Sequence, residues 1–271
     1  MSHARSIAIV TQWRRLGGRI AQLIWLVFAA LALGLALAGV RYRFTELQIV
    51  CDTPRCIVGQ PTAEYVAFLA QMGESIDAVF LRDQAFSVIA YDSILSFLIL
   101  ALGGVLIWQK PGNAVSVLTA FVFVALAVML LGTPDSLVRS YPAYALPVRF
   151  LRFLMLAGLF VVFSLLPNGR FFRSWLLWLA VFFVMAFFFF IILHGSTLDM
   201  PLSTENALLG MLSVLAVIVV GASLFSRLRA ADNEITRQQL KWILIGTGLA
   251  IFWIGLQHIL YFITPRGMRG Y

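Results

Sequence analysis

Seven apolar runs of about 20 residues, separated by short polar breaks, leave this chain few ways to fold. The first, Ile20 to Val40, contains no charged residue. At about 1.5 Å per residue it crosses a hydrocarbon core of roughly 30 Å. The others fall near Phe86 to Trp108, Gly112 to Leu131, Ala143 to Leu166, Trp175 to His194, Ala207 to Phe225 and Trp242 to Ile263. Lipid offers no partner to an exposed N–H or C=O, so these runs are expected to be helices and not strands. The fold class that follows is all-α: a polytopic transmembrane bundle.

Composition agrees. The 271 residues are 61% hydrophobic and 12% charged, far from the makeup of a soluble domain. The runs occupy the whole length, which leaves no room for a kinase, nucleotide-binding or DNA-binding module. Met1 to Arg19 is basic and is followed by a span too long for a signal-peptide core, with no A-x-A cleavage pattern after it. It reads as a cytoplasmic N-terminus before a retained first span.

The net charge of +8 would suggest a nucleic-acid partner in a soluble protein, but here it sorts by membrane side. With the N-terminus inside, the cytoplasmic connections hold Arg5, Arg14, Arg15, Arg19, Lys110, Arg170, Arg173, Arg227, Arg229, Arg237 and Lys241. Only Asp232 and Glu234 oppose them on that side. The positive-inside rule therefore favours an internal N-terminus, and an odd span count places the tail 265–271 outside. The expected organisation is a basic segment over 1–19, a membrane domain over 20–264 and that tail. An extracytoplasmic loop over 41–85 is expected to carry a short amphipathic helix from Pro61 to Met72, capped by Thr62 and ended by Gly73.

Two features of the outer side could carry chemistry. Cys51 and Cys56 flank Asp-Thr-Pro-Arg, a turn-forming tetrapeptide, and an oxidising compartment favours a small disulfide ring there. A metal site would need a second ligand pair, which the neighbourhood lacks. The second feature is a layer of ionisable groups inside the spans. Asp92 lies sixteen residues before Trp108, Arg152 fourteen before Leu166, and His258 sixteen after Trp242. Each is then about 21 to 24 Å above the inner end of its helix.

Groups at one depth can neutralise each other, and Asp92, Arg149, Arg152, Tyr91, Gln257 and His258 could form a ligand-sensing or structural polar cluster. Equally, Arg149 and Arg152 could snorkel to the outer headgroups while Asp92 meets the interface. Pro147, near the outer end of its run, is the main candidate for a broken span. The run Phe187 to Phe190 reads as packing and lipid-facing residues. No hydrolase, zinc-protease or phosphate-loop motif is present, so no catalytic residue, cofactor or metal site is expected. Ser226 to Lys241 reads as a headgroup-binding loop rather than a partner surface.

Several segments together resemble a known family. The loop Cys51-Asp-Thr-Pro-Arg-Cys56, the following Pro-Thr-Ala-Glu, the turn Trp108-Gln-Lys-Pro-Gly-Asn113, the turn Leu166-Pro-Asn-Gly-Arg170 and the segment Arg237-Gln-Gln-Leu-Lys-Trp242 resemble the membrane region of competence-sensor (ComP-like) sensor histidine kinases. The resemblance implies a sensor or input domain of a two-component system in a bacterial plasma membrane. It also implies pairing into a homodimer and response to a stimulus from outside or within the membrane. The chain carries no phosphoacceptor-histidine segment and no ATP motif, so kinase activity would require a longer gene product. A transporter-like protein or a structural subunit of a membrane complex is the alternative.

Overall fold

The computed structural model describes residues 2–51, 59–72, 77–165, 174–194, 202–230, 233–235, 237–245 and 248. Among them the architecture is all-helical, with no strand and one isolated backbone bridge, Cys51 to Thr62. In chain order the elements are α1 (Ser2–Leu47), α2 (Ala63–Gln71), α3 (Ala78–Gln109), α4 (Ala114–Leu130), α5 (Thr133–Ser140), α6 (Ala145–Leu165), α7 (Ser174–Phe188) and α8 (Leu202–Arg229). A 3₁₀ turn, Pro142–Tyr144, leads into α6, and a π-helical segment, Phe189–His194, prolongs α7.

Among the described residues, five helices are long and apolar enough to cross a membrane: Gly17–Leu47, Ala78–Gln109, Pro142–Leu165, Trp175–Ile192 and Met211–Arg229. A sixth crossing exists if α4 and α5, bent by 64° at Gly132, count as one span. Most of the last apolar run, Trp242 to Ile263, lies outside the described residues, as does the tail 265–271.

Local chemistry explains the helix limits. Asp77 Oδ1 accepts the Phe80 N–H at 2.8 Å, so α3 starts eight residues before the apolar run that marks it. Asn113 Oδ1 accepts the Val115 N–H at 2.9 Å and opens α4 directly after the Lys110-Pro111-Gly112 turn. Thr62 caps α2 by accepting the Tyr65 N–H at 3.2 Å, and Gly73 lies outside the described residues. The helix of α1 does not stop with its apolar run at Val40 but continues through Arg41 to Leu47. Pro147 breaks nothing. It sits in the first turn of α6, where the missing N–H has no helical acceptor to lose, and the break falls instead at Gly132, whose φ of 63° suits glycine.

Two apolar cores share α6. In the first, Trp25, Ala29, Ala32 and Ala36 line one stripe of α1 and meet Ala120, Val124, Ala125 and Val128 of α4, with Ile107 of α3 and Leu151 of α6. Small residues bring the helix backbones close, as association within lipid requires. In the second, Phe160 of α6, Phe183 and Phe187 of α7 and Leu224 of α8 pack together, with the Phe160 and Phe183 rings 4.6 Å apart. The expected packing role of Phe187 holds, since it is buried there.

Contacts at its middle and its finish fix how α1 lies. At the middle, Gln22 Nε2 donates to the Ile107 carbonyl at 3.3 Å, and the Trp25 indole N–H donates to the Ala120 carbonyl at 3.0 Å. Near its finish, Gly39 abuts the Thr133 carbonyl so closely that no Cβ fits between them. One long helix thus joins the α3–α4 turn at one end of the bundle to α5 at the other.

Candidate functional site

At the far end of α1 a polar clamp holds α5. Glu46 stands one helical turn beyond Arg43, so the two side chains share a face of α1. The Arg139 Nε donates to Glu46 Oε1 at 2.8 Å and Nη2 to Oε2 at 2.6 Å, a bidentate pair. Ser136 Oγ donates to Glu46 Oε2 at 2.5 Å. Tyr42 and Tyr141 meet edge to face at 5.5 Å, and their hydroxyls lie 3.2 Å apart. The helix α5 supplies these groups because its eight residues alternate an apolar face, Pro134 and Leu137, with a charged one, Asp135 and Arg139.

Arg152 of α6 joins the same layer. Its Nη2 donates to Asp135 Oδ1 at 2.7 Å, so α5 is tied to α6 as well as to α1. Arg43 is 5% exposed, and its guanidinium lies over Gly132, where an added Cβ would come within 3.2 Å of Cζ. Among neighbouring charges Asp92 of α3 acts most strongly on Arg43, ahead of Glu46 and Asp135. Arg43 is also the charge that acts on Asp92. Two ion pairs, Arg139 with Glu46 and Arg152 with Asp135, thus tie α5 to both α1 and α6.

No family model, curated protein or solved structure matches this chain. The site has to be read from its own geometry.

Of the residues singled out in the sequence, Asp92 and Arg152 do lie in this layer, but with different partners: Arg152 pairs with Asp135 in place of Asp92. Arg149 is half-buried one turn before Arg152. Tyr91 is 70% exposed on the outer surface of α3 and takes no part in the clamp. Gln257 and His258 lie outside the described residues. Sequence reasoning missed Arg43, Glu46, Asp135, Ser136 and Arg139, which it assigned to connections. The signal was present in Thr133-Pro-Asp-Ser-Leu-Val-Arg-Ser140, with proline and an acid in the first turn and a base in the last.

The loop beyond the clamp is pinned at its base. Cys51 N–H donates to the Pro61 carbonyl at 2.8 Å, the Ala63 N–H donates to the Cys51 carbonyl at 2.9 Å, and Gln60 Nε2 donates to the Ile49 carbonyl at 2.8 Å. Cys51 is buried, and Cys56 lies outside the described residues. At the opposite end, Arg227 of α8 is 6% exposed and its Nη2 donates to the Ser164 carbonyl at 2.5 Å. That carbonyl is one of the last four of α6, which have no acceptor role inside their own helix. Arg227 is thus a packed helix cap and not the free loop cation expected from sequence.

Proposed function

We propose that this chain is a membrane signal-input domain, with the charge clamp as its receiving element and α1 as the transmitting one. The observation that carries the reading is the geometry of α1: one continuous helix holds the clamp through Glu46 and the α3–α4 turn through Gln22 and Trp25. A stimulus that repacks α5 has no way to leave α1 unmoved, and a rigid helix passes displacement along its length. The resemblance to competence-sensor-like kinases points the same way and carries the expectations of a bacterial plasma membrane and a homodimer, while the apolar runs and the positive-inside count carry that of a seven-span topology with the N-terminus inside.

A transporter would need its broken helix at the membrane midplane, beside the substrate. The break at Gly132 lies at one end, next to the clamp, and this weighs for input over transport. The outer loop would be locked by a Cys51–Cys56 disulfide, so both thiols should resist alkylation until a reductant is added.

Transmission is testable with a single cysteine at Gln109, beside the α3–α4 turn, in protein whose native cysteines are replaced by serine. Glu46→Gln is expected to change its rate of labelling by a membrane-impermeant maleimide several-fold. The same reagent, applied from outside intact cells, should fail to reach this cysteine. An unchanged rate in permeabilised cells would remove the input reading, and labelling from outside would reverse the topology.

A further inference from the structure

The helices α1 and α6 flank α4 without closing over it, which leaves an apolar groove of about 640 Å³. Its floor is Val117 and Phe121 of α4, and its walls are Phe28 of α1 and Phe150 and Leu154 of α6. It opens at the end of the bundle that carries the α3–α4 turn, where Gly17 and Gly112 form the mouth. From Gly17 to Phe28 it runs about 16 Å along α1, close to the half-thickness of a hydrocarbon core of about 30 Å. A single acyl leaflet has that depth.

The mouth differs in character from the walls. Among the described residues, a Cβ at Gly17 or Gly112 would meet nothing within 4 Å. Gly18 packs on Pro111, and the residues that follow and precede them, Arg19 and Lys110, are both exposed. Neither Asp nor Glu lines the groove or occurs in 1–45 or 93–134. An apolar slot of one leaflet's depth that ends beside two cations fits a lipid with a negative headgroup.

We infer that the α1–α4–α6 groove is a binding site for one acyl chain of an anionic phospholipid, whose phosphate headgroup meets Arg19 and Lys110. The inference requires that the helices lie in a bilayer and nothing of the input reading. The headgroup supplies selectivity through charge, and the phenylalanine walls supply affinity through burial of methylenes.

Native mass spectrometry of the full chain in mild non-ionic detergent tests this, with added phosphatidylglycerol or phosphatidylcholine of identical acyl chains. Wild type should retain phosphatidylglycerol on the order of tenfold better than phosphatidylcholine. Arg19→Gln with Lys110→Gln should remove that preference, and Gly17→Leu, which plugs the mouth, should lower retention of both lipids. Gly34→Leu makes the same change on α1 at another position with open space and should behave as wild type. If Gly17→Leu fails to fold, Ala114→Phe plugs the same entrance from α4. Equal retention of the two lipids by wild type, retention of neither, or undiminished retention in a folded plugged variant would overturn the site.

Discussion

Arg139 grips both carboxylate oxygens of Glu46, across ninety-three residues of sequence, and so fastens the bent helix α5 to the end of α1. The pair is half-open to its surroundings, and pairs of that kind contribute modestly, about 1 kcal/mol even in bidentate geometry. A double-mutant cycle on Glu46→Gln and Arg139→Gln, followed by thermal unfolding in detergent, should return a coupling energy of about that size. Ser136 gives Glu46 a second donor, so Glu46→Gln should cost more than Arg139→Gln. Strict additivity would show that the clamp carries no stability.

A second cycle separates two pairings that depth alone cannot distinguish. Asp135→Asn and Arg152→Gln remove two partners in contact at 2.7 Å and should couple. Asp92→Asn and Arg152→Gln should add, because the Arg152 guanidinium is bonded to Asp135. The reverse pattern, coupling with Asp92 and none with Asp135, would return the site to the arrangement expected from sequence.

Close approach of α1 and α5 depends on a missing side chain. Gly39 faces the Thr133 carbonyl with no room for a Cβ, whereas Gly34, five residues earlier on the same helix, faces open space. Gly39→Val should therefore destabilise by about 3 kcal/mol through overpacking against backbone, which cannot swing aside. Gly34→Val should be close to neutral, since the intrinsic helix preference of valine over glycine is small. The two melting temperatures, compared in one detergent, check this, and equal values would sink the close-contact account.

Which parts of this were legible in the sequence follows from what each signal measures. Apolar runs report contact with lipid, so Gly112 to Leu131 and Trp175 to His194 located α4 and α7 with its π extension within a few residues. A helix, however, ends where its caps and charges end it. For that reason α1 runs seven residues past Val40, and Asp77 starts α3 well before Phe86. Depth along a helix is likewise legible by counting, but a count does not show that the partner of Arg152 is Asp135. The direction a side chain takes around its helix is set by packing at positions such as Gly39 and Gly132, which no run or count displays. The eight-residue α5 was invisible to a search for long apolar runs, and the clamp was missed with it.

Arg227 supplies the last prediction, at the other end of the bundle. It is buried where α8 crosses the finish of α6, and it donates to the Ser164 carbonyl at 2.5 Å. Loss of a charged donor to a buried carbonyl costs about 2 kcal/mol. Arg227→Met keeps the apolar stem and removes the donor, so it isolates that contribution from packing. Arg227→Lys returns a charge without the planar fork and should recover only part of the loss. Thermal unfolding should thus rank wild type above the lysine variant and the lysine variant above methionine. A methionine variant as stable as wild type would mean that water or lipid headgroups satisfy the end of α6, and that Arg227 is buried for another reason.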